Sequence, residues 1–183
     1  MSTLLSHIAI SDGKIKRSSL EVLSHLRQQA EEHGHTLEAV IIDAEASNYV
    51  DQVKNYGPSK IYTVEDPVFK NHVNTPLLKA LTKVMDEANP YVFAFASTES
   101  TKDVLGALGA NRDAAVLSDV SEFELTDEGV KAVRPVMAAK ILSKNMATGD
   151  QILISVRSGS YDLDEKEADS EVVNVDFSID ESE

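Results

Sequence analysis

The chain has 183 residues, 42% of them hydrophobic, with 17 basic against 31 acidic side chains and no cysteine. That length suits a single core, and a net charge of −14 argues against nucleic-acid backbones and anionic membranes, which are held by clustered Lys and Arg. Without thiols there is no disulfide, thiolate nucleophile or thiolate-held metal, and MSTLLSHIAISDGK carries neither signal peptide nor anchor, so the expected location is intracellular without membrane insertion.

Residues 3–10 (TLLSHIAI) read as a first strand, closed by the turn Ser11-Asp12-Gly13. Ser18 with Glu21 three places on has the form of a capping box. It precedes Leu20, Leu23, Leu26 and Ala30 on one helical face, with Gly34 as the stop. LEAVIID (37–43) is a buried strand, and Ala46, Val50 and Val53, ending at Gly57, form a second helix. KIYTVED (60–66) is a third strand. Thr75-Pro76 supplies a cap and a first-turn proline to a third helix, with Leu77, Leu78, Leu81, Val84 and Met85 inward and Asn89-Pro90 at its end. YVFAFA (91–96), apolar throughout, fits the middle of a parallel sheet covered on both faces. STEST leads from it into a fourth helix with Val104, Leu105 and Leu108 inward. The alternation predicts an α/β fold, an open, mostly parallel sheet with helices on both faces.

After residue 115 the helical period is lost. AAVLSDV, SEFEL, VKAVRPV, AKILSK and QILISVR are strand-like runs separated by turn chemistry, and they are expected to pair as an antiparallel ribbon beside the main sheet. Met137 and Met146, within this region, read as packing residues. From Tyr161 onward Asp and Glu dominate, while Val173, Val175, Phe177 and Ile179 alternate with polar residues. The expected division is an α/β domain over 1–160 and an acidic linker and strand over 161–183, whose partner element lies outside the chain.

Ligands of open parallel sheets sit at the carboxyl ends of the strands. The loop after YVFAFA therefore supplies the candidate anion site, with Ser97, Thr98, Thr101 and Lys102 offering hydroxyls, backbone amides and one cation at a helix start. The alternative there is simple capping by Thr98 or Thr101. The loop Ser11-Asp12-Gly13-Lys14 has neither a G-x-G-x-x-G nor a phosphate-loop pattern and reads as a turn. The histidines are His7, His25, His33, His35 and His72. His33-Gly34-His35 falls at a helix end without a third metal ligand, and His7 in a strand reads as a hydrogen-bonded core residue. Ser158-Gly159-Ser160 lacks the strand-turn-helix setting of a nucleophile elbow, and Asp164-Glu165 reads as solvated tail. No catalytic group and no metal site is expected.

Three stretches together, DGKIKRSSLEVLSHLRQ (12–28), YGPSKIYTVED (56–66) and VRPVMAAKILSKNMATGDQILISVR (133–157), resemble the N-terminal domain of the electron transfer flavoprotein alpha subunit. The resemblance covers about residues 3–180. This chain departs from the family pattern at Thr101-Lys102-Asp103, where Gly-Arg-Asp is usual, at Gly106-Ala107 for Pro-Arg, and at Ala139 for glycine. It implies a Rossmann-like scaffold of the adenine-nucleotide alpha-hydrolase type, non-catalytic, in the bacterial cytoplasm. It further implies a heterodimer with a beta subunit that takes electrons from flavin dehydrogenases to a respiratory acceptor, as in fatty-acid β-oxidation. FAD would be bound mainly by a C-terminal domain outside this chain, and AMP by the beta subunit. The second reading is a stand-alone adenine-nucleotide-binding protein resembling universal stress proteins.

Overall fold

The computed structural model describes residues 1–71 and 73–179; His72 and residues 180–183 lie outside them. The first strand, β1 (Thr3–Ile8), is buried from Leu4 onward. A small hairpin follows, β2 (Ile10–Ser11) and β3 (Lys14–Ile15), turning on Asp12 and Gly13 at φ 53° and 70°. Two successive left-handed residues are what a two-residue hairpin turn needs. The hairpin also sets where the first helix begins. The Lys16 amide donates to the Ala9 carbonyl at 2.8 Å, and α1 (Arg17–His33) starts immediately after it. The expected capping box does not form, because Ser18 is already inside the helix. Glu21 turns instead to Arg17 at 3.0 Å and to the Gly159 amide at 2.8 Å. The glycine stop holds: Gly34 takes φ 67° and its amide closes on Ala30.

The following elements alternate as expected: β4 (Thr36–Asp43), a 3₁₀ turn (Ala46–Tyr49) running into α2 (Val50–Lys54), β5 (Lys60–Glu65), a second 3₁₀ turn (Pro67–Asn71), α3 (Asn74–Ala88), β6 (Val92–Ala96) and α4 (Glu99–Arg112). In α3 the N-cap position is Val73, with no side-chain cap, so Thr75 lies inside the first turn and is not the cap. No helix of the described residues is long and apolar enough to cross a membrane.

The strand-rich end divides in two, and this corrects the expected ribbon. Only β8 (Glu122–Thr126), β9 (Gly129–Val136) and β10 (Ile141–Ala147) form an antiparallel ribbon. β7 (Ala115–Val120) and β11 (Ile152–Val156) enter the main sheet, and β11 lies between β6 and β7. Every residue of β11 is buried, which only an interior strand covered on both faces provides. The tail strand β12 (Glu171–Asn174) finds its partner within the chain, pairing parallel to β5. The main sheet thus has seven parallel strands in the order β12-β5-β4-β1-β6-β11-β7.

One face is covered by α1, α2 and the root of the ribbon, through Leu20, Leu23, Leu26, Val53, Phe123 and Leu125. The other carries α3 and α4, through Leu81, Val84, Met85, Val104, Leu105 and Leu108. Between β11 and β12 the chain crosses the α1 face as a strap. Tyr161 stacks on His25 with ring centroids 3.7 Å apart. Asp164 pairs with the buried Arg27, Glu165 accepts from the Tyr56 hydroxyl, and Lys166 reaches Glu31 at 2.7 Å. Asp164 and Glu165 are therefore anchors of the strap, not a freely solvated acidic pair.

Met137 and Met146 do not pack. They are 70% and 42% exposed, on an arm formed by β9 and β10 that also bares Ile141 and Leu142. At its tip Met137, Ala138 and Ala139 all hold left-handed φ, between 50° and 63°. The Ala139 conformation explains why glycine suits that position.

Candidate functional site

The strand order reverses between β1 and β6, since the chain leaves β1 towards β4 and β5 and later leaves β6 towards the opposite edge. At such a point the loops at the carboxyl ends of the strands part and leave a crevice. A cleft of about 600 Å³ opens there. Its walls come from the end of β1 and the hairpin (His7, Ser11, Lys16), the end of β4 (Ile42, Asp43), the second 3₁₀ turn and the start of α3 (Phe69, Val73, Asn74, Leu77) and the start of α4 (Ser97 to Thr101).

Three of the four sequence-derived candidates meet at this cleft. Thr98 is the N-cap of α4: its Oγ1 accepts from the Thr101 amide at 3.1 Å and lies 2.9 Å from the Thr101 hydroxyl. Ser97 donates to Asp119 Oδ1 at 2.8 Å. Lys102 is not on the cleft wall; it pairs with Glu99 at 3.1 Å on the helix surface. Capping is thus realised by Thr98, and the Glu99 and Ser100 amides keep no partner among the described residues. The expected outcome of Thr98→Ala is a loss of about 1 kcal/mol in urea unfolding; an unchanged midpoint would refute the cap.

Beneath the α4 start lies an ordered charge pair. Arg157 donates to Asp119 Oδ2 from Nε at 3.0 Å and from Nη2 at 2.8 Å, and the Asp119 amide donates to Ser155 Oγ at 2.9 Å. The Arg157 hydrogen bonds hold the Asp119 carboxyl below its usual range. With Asp119 at φ 57°, this network ties the end of β7 to β11 and to the loop after β6, and engages the Ser97 hydroxyl.

The residue that sequence reasoning misjudged is His7. It is buried, but its Nδ1 has no hydrogen-bond partner among the described residues. Its ring tilts against Phe95 at 5.5 Å and faces the cleft. Burial pushes its pKa down to about 4, so the imidazole is neutral in the fold near pH 7. The signal available in the sequence was position: His7 stands at the carboxyl end of the first strand, where the crevice begins. Lys16 was also missed. The reading of the Ser11–Lys14 loop as a turn is right, yet the hairpin it makes carries Ser11 and Lys16 onto the cleft.

The other histidines take local roles. His33 and His35 stack at 6.3 Å at the end of α1, and His35 Nδ1 accepts the Ser2 amide. His25 Nε2 lies 2.9 Å from the Phe123 carbonyl. Among the described residues no group of three acidic or histidine side chains could hold a metal ion.

Comparison with known proteins follows the fold. The electron transfer flavoprotein domain family matches residues 7–180. An electron transfer flavoprotein subunit alpha from Syntrophomonas wolfei subsp. wolfei is 26% identical over 148 residues, covering 81% of this chain and 45% of the relative. The subunit alpha of Mycobacterium leprae is 26% identical over 178 residues, 96% of this chain and 54% of the relative. That of Bacillus subtilis is 23% identical over 172 residues, 93% and 52% respectively. The chain spans about half the length of the curated relatives it matches.

Proposed function

The chain belongs to the electron transfer flavoprotein domain family, and on that premise we propose that it is the N-terminal scaffold domain of an alpha subunit, a docking platform rather than a redox centre. In this role it joins a beta subunit carrying AMP in the bacterial cytoplasm. The complex takes electrons from flavin dehydrogenases and passes them to a respiratory acceptor.

FAD would be held mainly by a domain outside the 183 residues. The residues of the switch-point cleft do not fit it. A volume of about 600 Å³ is mid-range for a small-ligand pocket, short of the room for a flavin, a pyrophosphate and an adenosine together. Its described lining offers no arginine and only Phe69 as a six-membered aromatic ring. No electron step is assigned to this chain's own side chains.

The observation that carries the docking role is the β9–β10 arm. Ile141 and Leu142 are adjacent in one strand, so they point to opposite faces, and they are 51% and 62% exposed. An arm that bares large apolar side chains on both faces gains stability when a partner surrounds it. Mixed with the cognate beta subunit, the chain is expected to co-elute in size-exclusion chromatography. Leu142→Lys with Met146→Lys is expected to weaken that complex by about tenfold or more. A chain that stays alone at micromolar concentrations, or that purifies yellow with bound flavin, would end this reading.

A further inference from the structure

We propose that Met137 and Met146 form a reversible oxidation site on the β9–β10 arm, and that their sulfoxides hold an unassembled chain apart from the partner the arm docks. The second half rests on the docking role proposed above; the first stands on the arm's own geometry. The starting observation is where the sulfur sits. The chain has no cysteine and four methionines, so thioethers are the only sulfur an oxidant can reach. Methionine is among the residues most often buried, and Met85 follows that rule at 0% exposure. Met1 begins the chain. The remaining two, Met137 and Met146, are both exposed, and both stand on one arm.

The second observation is what surrounds them. Met146 and Leu142, four residues apart in β10, share one face of the ribbon with Lys144 between them. Across the ladder Met146 faces Lys131 and Lys144 faces Val133. Lys131, Val133 and Lys144 thus frame a shallow hollow beside the thioether. From Gly129 to Gly149 there is no acidic residue, while Lys131, Arg134, Lys140 and Lys144 are all present. A sulfoxide oxygen accepts hydrogen bonds, and ammonium and guanidinium groups only donate them. The oxidised side chain therefore meets donors on the arm itself, and it presents a polar surface where the thioether presented an apolar one.

The oxidant is hydrogen peroxide. One oxygen atom passes from peroxide to sulfur: the S–O bond forms as the O–O bond breaks, sulfur gives up two electrons, and the peroxide leaves as water. Methionine sulfoxide reductases reverse the step, one enzyme for each sulfoxide epimer. A partner seated on the arm covers both sulfurs, so oxidation falls on chains that have not assembled. The polar arm then docks poorly until it is reduced, because burying a polar group that the partner does not hydrogen-bond costs affinity.

The test treats the 183-residue chain alone with hydrogen peroxide, removes the peroxide, and follows each methionine by peptide mass spectrometry. Met137 and Met146 are expected to gain an oxygen atom about tenfold faster than Met85 or more, and the two reductases together are expected to remove it. Oxidation of Met85 as fast as the arm, or sulfoxides that the reductases leave in place, overturns the site. Hydrophobic-interaction chromatography should release the oxidised chain earlier; unchanged retention overturns the change of surface. Binding to the beta subunit is then titrated before and after treatment. It is expected to weaken about tenfold, to recover on reduction, and not to respond to treatment in Met137→Leu with Met146→Leu, which keeps Met1 and Met85. Equal binding before and after, or the same loss in the double variant, overturns the control of docking. An untreated chain that does not bind ends the docking reading and the control with it, while the mass spectra still decide the oxidation site.

Discussion

Gly129→Ala is expected to destabilise the protein by roughly 2–4 kcal/mol, the sum of backbone strain and a clash that no side-chain rotation relieves. Gly129 opens β9 at φ 149°, in the region that disfavours any Cβ. An added Cβ would lie 2.1 Å from the carbonyl oxygen of Ala147, on the neighbouring β10. That oxygen belongs to the ladder in which Ala147 faces Val130, so relief requires opening the ribbon at its root. The root is part of the core: Phe123, Leu125, Val130 and Ala132 pack with the α1 side of the sheet. The loss should therefore show in global urea unfolding, and amide exchange in β8 to β10 should accelerate more than in β1 or β6. A change below about 0.5 kcal/mol, the range of neutral surface substitutions, would mean the backbone at Gly129 yields freely. The variant also bears on function, because the arm proposed to meet the beta subunit grows from this root.

Legibility in the sequence followed the strength of the period. Up to α4, apolar residues recur at helical spacing or run through whole strands, and the inward faces of α1 and α4 are those the spacing predicts. Periodicity failed at QILISVR because a fully apolar run carries no alternation. Nothing local distinguishes an antiparallel ribbon strand from an interior parallel one. β11 reaches the sheet only after the ribbon excursion, so its place between β6 and β7 is a long-range outcome of packing. The tail's alternation at Val173, Val175 and Phe177 was visible; its pairing with β5 was not, because the strap of Arg27, Tyr56 and Glu31 contacts that delivers it is scattered along the chain.

Helix starts erred for a related reason. Ser18 and Thr75 have capping chemistry, but the chain enters α1 from a hairpin already bonded to Lys16 and enters α3 at Val73. Tertiary placement overrode local preference. At α4 the capping alternative, offered for Thr98 or Thr101, is realised by Thr98, because strand, turn hydroxyl and helix follow one another without interruption. The cleft was legible to the same extent. The carboxyl-end rule finds Ser97, Thr98 and Thr101, whereas His7 looks like any strand residue until its missing partner is seen.

That missing partner leads to the second large effect. Between pH 7 and pH 4 the wild-type chain is expected to lose roughly 3 kcal/mol of stability from His7 alone. In the folded state its pKa is pushed down from 6.5 to about 4 by burial. Below pH 6.5 the unfolded chain takes up a proton that the folded chain refuses, so stability is full above that pH and falls as the pH drops towards 4. Below 4 both states are protonated and this loss stops growing. Lys16, Asp43 and Glu99 also face the cleft, and carboxylates elsewhere titrate in the lower part of the range. His7→Phe separates them from the imidazole, since the variant keeps every other group. The ring of Phe95 lies beside this position at 5.5 Å, so an aromatic replacement has a neighbour to pack on. Urea unfolding of both proteins across this range should give curves that converge near neutrality and part on acidification, the variant being the more stable. Parallel curves would show that the imidazole is solvated or paired in the fold. With its Nδ1 buried and unpaired among the described residues, the ring has no hydrogen bond there that would offset the cost of charging it.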